Sequence, residues 1–188
     1  MNWLITYNKH FKTILIKTSN KDGNKISQEE NVTLVYLDEE LVAINILNVY
    51  LDDKVSKTEL QKIAFEKISH LVDVSNVNVS PQFICVKVVE CNKIPDTHLS
   101  LCKVNTGTEI VQVVCGAENV KKDMKTILAK VGSWMPNGLY IQQNKLRGND
   151  SFGMLCSARE LNILDKFNST GIIKLSNLTK LGKSVWEI

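Results

Sequence analysis

The sequence predicts a mainly β protein with α+β character: a small α+β domain (residues 1–82) followed by a β-barrel domain (residues 83–188). Three observations support this. Segments rich in β-branched and aromatic residues dominate both parts of the chain. One stretch, residues 57–72, has helical periodicity. Beyond residue 83, short apolar segments recur between glycines, a pattern typical of barrels and sandwiches.

Four segments in the first 50 residues predict strands: "NWLITY", "KTILIKTS", "NVTLVYLDE" and "ELVAINILNVYL". Asp22-Gly23 predicts a turn between two of them, because both residue types are common in turns. Residues 38–40, "DEE", predict another turn. This part of the chain is therefore expected to form a small sheet.

Residues 57–72, "KTELQKIAFEKISHLV", predict a helix that packs on this sheet. Thr58 is the expected N-cap, with Gln61 completing a capping box. The expected apolar face recurs at helical spacing and consists of Leu60, Ile63, Ala64, Lys67, Ile68 and Leu71.

The polar segment 73–82 contains Pro81 and predicts the domain boundary. Beyond it, "FICVKVVECNKI", "LSLCKVNTG", "EIVQVVCGA", "KTILAKVGSWM" and "GLYIQQNKL" predict short strands. We expect a five-stranded oligonucleotide/oligosaccharide-binding (OB-fold) β-barrel with extra C-terminal strands. Ser157 stands three residues before Glu160, which predicts a short capped helix.

The location of the protein is predicted from two features. The chain has no run of about 18 apolar residues, the length that crosses a bilayer. Its N-terminus alternates polar and apolar residues and lacks the apolar core of a signal peptide. A cytoplasmic protein without membrane association is therefore expected, and its five cysteines are expected to be reduced packing residues, since none forms a CxxC motif.

Positive charge is concentrated in the second domain. Residues 1–82 hold 9 Lys/Arg and 11 Asp/Glu, a net charge of −2, whereas residues 83–188 hold 14 and 9, a net of +5. A polyanionic partner is therefore expected to bind the second domain, although a solvated basic surface is the alternative.

The sequence predicts no catalytic site, no metal site and no cofactor. His10, His70 and His98 lie in different predicted elements, and the chain has no HExxH, G-x-S-x-G or phosphate-binding loop motif. Cys115 lies in "VQVVCGA", which predicts a buried strand. Binding is thus the expected function, although catalytic groups can also converge from distant segments.

The motifs "VQVVCGAENV", "ILAKVGSWMPNGLYI" and "KLRGNDSFGMLCSAREL" closely resemble the tRNA-binding domain at the N-terminus of the bacterial phenylalanyl-tRNA synthetase β-chain. The resemblance covers residues 83–188 and is strongest over 99–163. One such domain preceded by about 80 other residues is also similar to YtpR-type stand-alone tRNA-binding proteins. The resemblance implies a non-catalytic OB fold that binds the outside of folded tRNA.

The resemblance also implies the RNA-binding residues: Asn119 of "CGAEN", the Arg147, Ser151 and Met154 of an Arg-Gly-x-x-Ser-x-Gly-Met signature, and Ser157 of the following Cys-Ser-x-x-Glu-Leu. Arg147 offers a planar fork for phosphate, although pairing with Asp150 or Glu160 is the alternative. The lysines expected to extend the positive surface are Lys103, Lys121, Lys122, Lys130 and Lys145.

Three departures from the family pattern bear on RNA binding. Residues 93–98, "KIPDTH", replace the usual His-Pro-Asn-Ala-Asp, Glu118 replaces a proline, and Asp123 replaces a turn glycine. A protein-interaction or dimerisation module associated with an aminoacyl-tRNA synthetase is therefore the alternative function. A homodimer could use the apolar C-terminal residues, which are Ile172, Ile173, Leu175, Leu178 and Leu181. An enzyme with a cleft between domains is the third alternative.

Overall fold

The computed structural model describes residues 2–52, 55–168 and 170–188. Contacts between residues divide the chain into two compact units, residues 1–79 and 80–188. Both are built mainly from β-strands, as predicted from the sequence.

The first unit is an antiparallel sheet in the order β1-β2-β5-β4-β3. Its strands are β1 (Leu4–Asn8), β2 (Thr13–Lys17), β3 (Lys25–Glu29), β4 (Val32–Leu37) and β5 (Glu40–Ile46). Four of them coincide with predicted segments. Strand β3 was not predicted, because this edge strand buries none of its side chains and carries no apolar alternation. Asp22-Gly23 joins β2 to β3, which are not neighbours, so it does not form a hairpin.

Helix α1 (Lys57–Ile68) covers one face of this sheet. Its side chains Leu60, Ala64 and Ile68 are buried at a spacing of four residues, against Ile14 and Ile44 of the sheet. The predicted N-cap, Thr58, is wrong. The N-cap is Ser56, whose side chain accepts a hydrogen bond from the Glu59 amide, since Ser-x-x-Glu is itself a capping box. The helix also ends four residues before the predicted end.

The second unit contains a five-stranded antiparallel sheet in the order β12-β9-β6-β7-β8, curled into an OB-like half-barrel. The strands are β6 (Phe83–Lys93), β7 (Ser100–Asn105), β8 (Ile110–Cys115), β9 (Lys125–Ala129) and β12 (Met154–Leu155). A separate two-stranded hairpin joins β10 (Asn144–Leu146) to β11 (Asn149–Ser151). The long β6 pairs with β9 through its first half and with β7 through its second, with a bulge between Val88 and Glu90.

The first half of β6 is buried on both faces, which explains why its residues are apolar except for Lys87. Ile84, Val86 and Val88 face the barrel interior. Phe83 and Cys85 face a second core that residues 156–188 build on the outside of the barrel wall. A strand that alternates between two apolar environments shows no polar period in its sequence.

The predicted C-terminal strands are wrong, because no strand follows Leu155 in the described part of the chain. Residues 156–168 and 170–184 instead form irregular segments that hydrogen-bond to the barrel at single points. The Leu175 amide donates to the Lys125 carbonyl, and the Gly182 amide donates to the Cys85 carbonyl, both at 2.9 Å. The chain ends in a short 3₁₀ helix, Val185–Glu187. No helix among the described residues is long and apolar enough to cross a membrane.

The apolar C-terminal residues are used mainly inside this unit. Ile172, Ile173 and Leu175 are buried, whereas Leu178 is exposed. Burial within one copy of the chain therefore accounts for most of the surface on which the dimer prediction rested.

Candidate nucleic-acid interface

Arg147 lies at the tip of the β10–β11 hairpin. The two strands pair Leu146 with Asn149, so Arg147 and Gly148 form a two-residue loop. Their φ angles are +49° and +81°, and positive φ at both positions is the signature of a type I′ turn. Left-handed backbone costs a non-glycine residue about 1 kcal/mol. The turn thus places a solvent-exposed arginine in a backbone conformation that glycine or asparagine adopts at lower cost.

Ser151 fastens the hairpin to the barrel. Its hydroxyl accepts a hydrogen bond from the Val114 amide at 3.0 Å and donates to the Gly153 carbonyl at 3.1 Å. Ser151 is only 3% exposed, so the expected direct contact between its hydroxyl and RNA does not fit this placement. Its role in the structure is to fix the position of the hairpin that carries Arg147.

The loop between β6 and β7, residues 94–99, is closed by its own hydrogen bonds. The Ile94 amide donates to the Leu99 carbonyl at 3.0 Å. The Thr97 hydroxyl donates to the Ile94 carbonyl at 2.9 Å and accepts from the Leu99 amide at 3.1 Å. The residues that depart from the family pattern therefore form a compact loop that is well defined by these bonds.

This loop and the hairpin tip line one cleft of about 490 Å³, formed by Asp96–Leu99 and Arg147. Counted along the barrel, the loop joins the first and second strands, and the hairpin belongs to the connection between the fourth and fifth. These two connections flank the ligand surface of OB folds. The cleft therefore lies where the fold class places its ligand.

The cleft carries charge of both signs. Arg147 forms no ion pair with any described residue; Asp150 instead lies 3.9 Å from the Lys145 ammonium. Lys93 donates to the His98 carbonyl at 3.4 Å, which holds a second cation beside the loop. Asp96 adds a carboxylate to the lining. An anion entering the cleft would meet the free fork of Arg147.

A second cavity of about 630 Å³ lies on the side of the hairpin next to Gly116. Arg159, Met154 and Leu146 contribute to its lining. The chain contains only two arginines, Arg147 and Arg159; Arg159 lines this cavity, and Arg147 lines the first cleft. Sequence reasoning missed Arg159, although the rarity of arginine in a chain rich in lysine was a signal that could have found it.

Asn119 and Ser157 hold the wall of the second cavity. The Asn119 amide donates to the Ile172 carbonyl at 2.9 Å and accepts from the Ile172 amide at 3.0 Å. The Ser157 amide and hydroxyl both donate to the Glu160 carboxylate, at 2.7 and 2.6 Å. These are capping-box bonds, yet the segment forms turns and not the predicted helix. Both polar atoms of the Asn119 side chain thus bond to the Ile172 backbone, so this side chain holds the C-terminal segment in position.

The predicted lysines do not form one cluster. Lys103 pairs with Glu90 at 3.0 Å, and Lys121 is exposed. Lys130 lines a separate groove with Glu109 and Phe152, where burial lowers its pKa while Glu109 acts to raise it. Asp123, which stands where the family commonly has a turn glycine, adopts a positive φ of +66° and pairs with Lys87 at 2.8 Å.

The thiols near the site are packing groups. Burial raises the pKa of Cys115 and of Cys156, and the charge of Glu160 acts in the same direction on both. The protonated form of each thiol is therefore favoured near neutral pH, and a thiol is a weak nucleophile. Within the described ranges, no group of His, Cys, Asp and Glu side chains has the arrangement of a metal site.

Comparison with known proteins identifies the second unit. The family model "Putative tRNA binding domain" matches residues 83–184. "Putative tRNA-binding protein YtpR" of Bacillus subtilis is 47% identical over 100 residues, 53% of this chain and 50% of that protein. The phenylalanine–tRNA ligase β subunit of Ehrlichia canis is 43% identical over 143 residues, 72% of this chain and 18% of that subunit.

An uncharacterized protein of Mycoplasma pneumoniae is 42% identical over 126 residues, which are 65% of this chain and 53% of that protein. The chain thus spans about half the length of this relative and of the Bacillus protein. The family model covers more than half of the chain, and it matches the region that contains the motifs resembling this family. The chain therefore belongs to the tRNA-binding domain family.

Proposed function

We propose that this chain binds folded tRNA without catalysing a reaction, and that the cleft between residues 94–99 and the hairpin tip is a contact site. One observation carries the proposal. Arg147 is held at a positive φ on a hairpin tip, and it forms no ion pair with a described residue. An unfavourable backbone conformation that presents an unpaired cation suggests a functional site.

The physical basis is phosphate recognition. Folded RNA offers phosphates and 2′-hydroxyls on its outside, and these are bound by cations and short hydrogen-bond donors. Arg147 supplies the fork, and Arg159 and Lys93 supply further charge. Lys121 and Lys145 extend this surface in the proposal. Such a protein would serve as a cytoplasmic accessory to aminoacylation or to other handling of tRNA.

A protein-interaction or dimerisation module is the second candidate. It is favoured by the Asp96 carboxylate in the cleft and by the exposed Glu118, since acidic groups repel phosphate. A synthetase or a second copy of the chain would then be the partner. Measuring RNA binding directly distinguishes the two candidates.

The affinity for tRNA is expected to fall steeply with salt. If four to six phosphates are neutralised, the slope of log K against log salt concentration is about −3 to −5, at roughly −0.7 to −0.9 per contact. Fluorescence anisotropy of labelled tRNA at several salt concentrations measures this slope. A flat salt response would remove the phosphate mechanism, and the absence of binding at low salt would favour the protein-interaction module.

A further inference from the structure

The loop between β1 and β2 in the first unit presents aromatic and basic side chains to solvent. Its sequence is Lys9-His10-Phe11-Lys12, and Phe11 is 77% exposed. Tyr50, which lies beyond β5, is 71% exposed. The Lys12 ammonium lies 4.1 Å from the centre of the Tyr50 ring. Exposed aromatics beside cations are the combination that binds unpaired nucleic acid, by stacking and charge together.

The backbone around these side chains is fixed before any ligand binds. The Asn8 side-chain oxygen accepts hydrogen bonds from the His10 and Phe11 amides, at 3.1 and 3.2 Å. The Val49 amide donates to the Lys12 carbonyl at 2.7 Å, which ties the loop to the segment that carries Tyr50. A loop backbone that is already ordered loses little conformational entropy on binding, so stacking on its side chains is more favourable.

A shallow cavity of about 360 Å³ adjoins Phe11 on the outer face of the sheet. Leu15 and Leu47 give it apolar walls, and Asn45 contributes an amide. Asn45 lies on β5 opposite Leu15 of β2, and its side chain forms no hydrogen bond within the described residues. An apolar wall beside a free amide matches a nucleobase, which has an apolar face and a polar edge.

We propose that this surface, formed by Phe11, Lys12, Tyr50 and the cavity at Asn45, binds unpaired nucleotides of RNA. The choice of RNA as ligand rests on the proposed function, whereas the surface itself is defined within the first unit alone. The basic loop favours a polyanion over an apolar protein partner. Bases stack on Phe11 and Tyr50, the lysines face the phosphates, and the Asn45 amide contacts a base edge.

The test compares the full chain with a Phe11→Ala/Tyr50→Ala double variant. We expect the double variant to bind a ten-nucleotide oligouridylate at least tenfold more weakly by fluorescence anisotropy, because each stacked base is lost with its platform. Ile26→Ser is the matched control. Ile26 is 69% exposed on β3, the strand at the opposite edge of the sheet from β1, and its loss is expected to leave affinity unchanged.

A photocrosslink locates the contact independently of affinity. An oligouridylate carrying 4-thiouridine is expected to crosslink to the peptides that contain Phe11 or Tyr50. Unchanged affinity in the double variant, or crosslinks confined to residues 80–188, would overturn the inference. So would unchanged RNA binding together with reduced self-association in sedimentation, which would assign the surface to a second copy of the chain.

The two proposals fail separately. If the chain binds oligouridylate through Phe11 and Tyr50 but does not bind tRNA, the function proposed for the cleft fails and this inference stands. If tRNA binding depends on Arg147 while oligouridylate binding is unchanged by loss of Phe11 and Tyr50, this inference fails and the function proposed for the cleft stands. The thermal unfolding temperature of each variant checks that the protein remains folded after these exposed side chains are replaced.

Discussion

Replacement of Arg147 by glutamine is expected to weaken tRNA binding about tenfold. Glutamine keeps a long side chain and the same strained backbone, so the change removes mainly the charged fork. A hydrogen bond to a charged group contributes about 1.5–3 kcal/mol, and 1.4 kcal/mol corresponds to a factor of ten in affinity. Anisotropy with labelled tRNA measures the loss, and the salt slope is expected to flatten by about 0.7–0.9.

Lys180→Gln is the matched control for charge. Lys180 is exposed and precedes Gly182, which lies beside the Thr106 carbonyl at the end of β7 remote from residues 94–99. Its loss removes one positive charge away from the cleft, and affinity is expected to change less than about twofold. Equal losses in the two variants would show that binding follows net charge and would contradict the assigned site.

Replacement of Gly153 by alanine is expected to lower the free energy of unfolding by about 2–4 kcal/mol. Gly153 has a φ of +129°, and a Cβ there would lie 2.6 Å from the Ala129 carbonyl oxygen. A backbone oxygen cannot rotate away, so β9 or the hairpin must move. Because Gly153 separates β11 from β12, the change also disturbs the support of Arg147. Chemical denaturation measures the loss.

Gly138→Ala distinguishes steric overlap from backbone strain. Gly138 also has a positive φ, of +87°, yet a Cβ there would meet no atom within 4 Å. Its replacement is expected to cost only about 1 kcal/mol, the penalty of the left-handed conformation. Similar losses at the two positions would contradict the close packing of Gly153 against β9.

The β-rich fold and most strands could be predicted from local sequence. Residue types and turn positions determine short strands, and "FICVKVV" predicted a strand because all its residues except Lys87 are apolar. Its double burial could not be predicted, since the outer core depends on residues 156–188 folding back across the barrel wall. Strand β3 had no signal because neighbouring β4 determines its pairing.

The motif residues were identified from the family resemblance, but their structural roles are established by their contacts in the folded protein. Ser151 and Asn119 carry polar groups suited to RNA, yet their partners in this fold are Val114 and Ile172, which are distant in sequence. Arg147 shares a positive φ with several other non-glycine residues, and it differs from them in carrying a guanidinium at a hairpin tip. The following glycine indicates a turn in the sequence, but only the backbone establishes the φ angles. The hairpin approaches residues 94–99 because the sheet curls into a half-barrel, and no local sequence pattern predicts that curling.

Amide hydrogen exchange of the full chain, with and without tRNA, tests the central claim most directly. The cleft predicts slower exchange on tRNA binding in residues 94–99 and 144–151, and an unchanged rate in residues 106–109, the loop beyond the far end of β7. Slower exchange confined to other parts of residues 80–188, with the hairpin tip unaffected, would contradict the account.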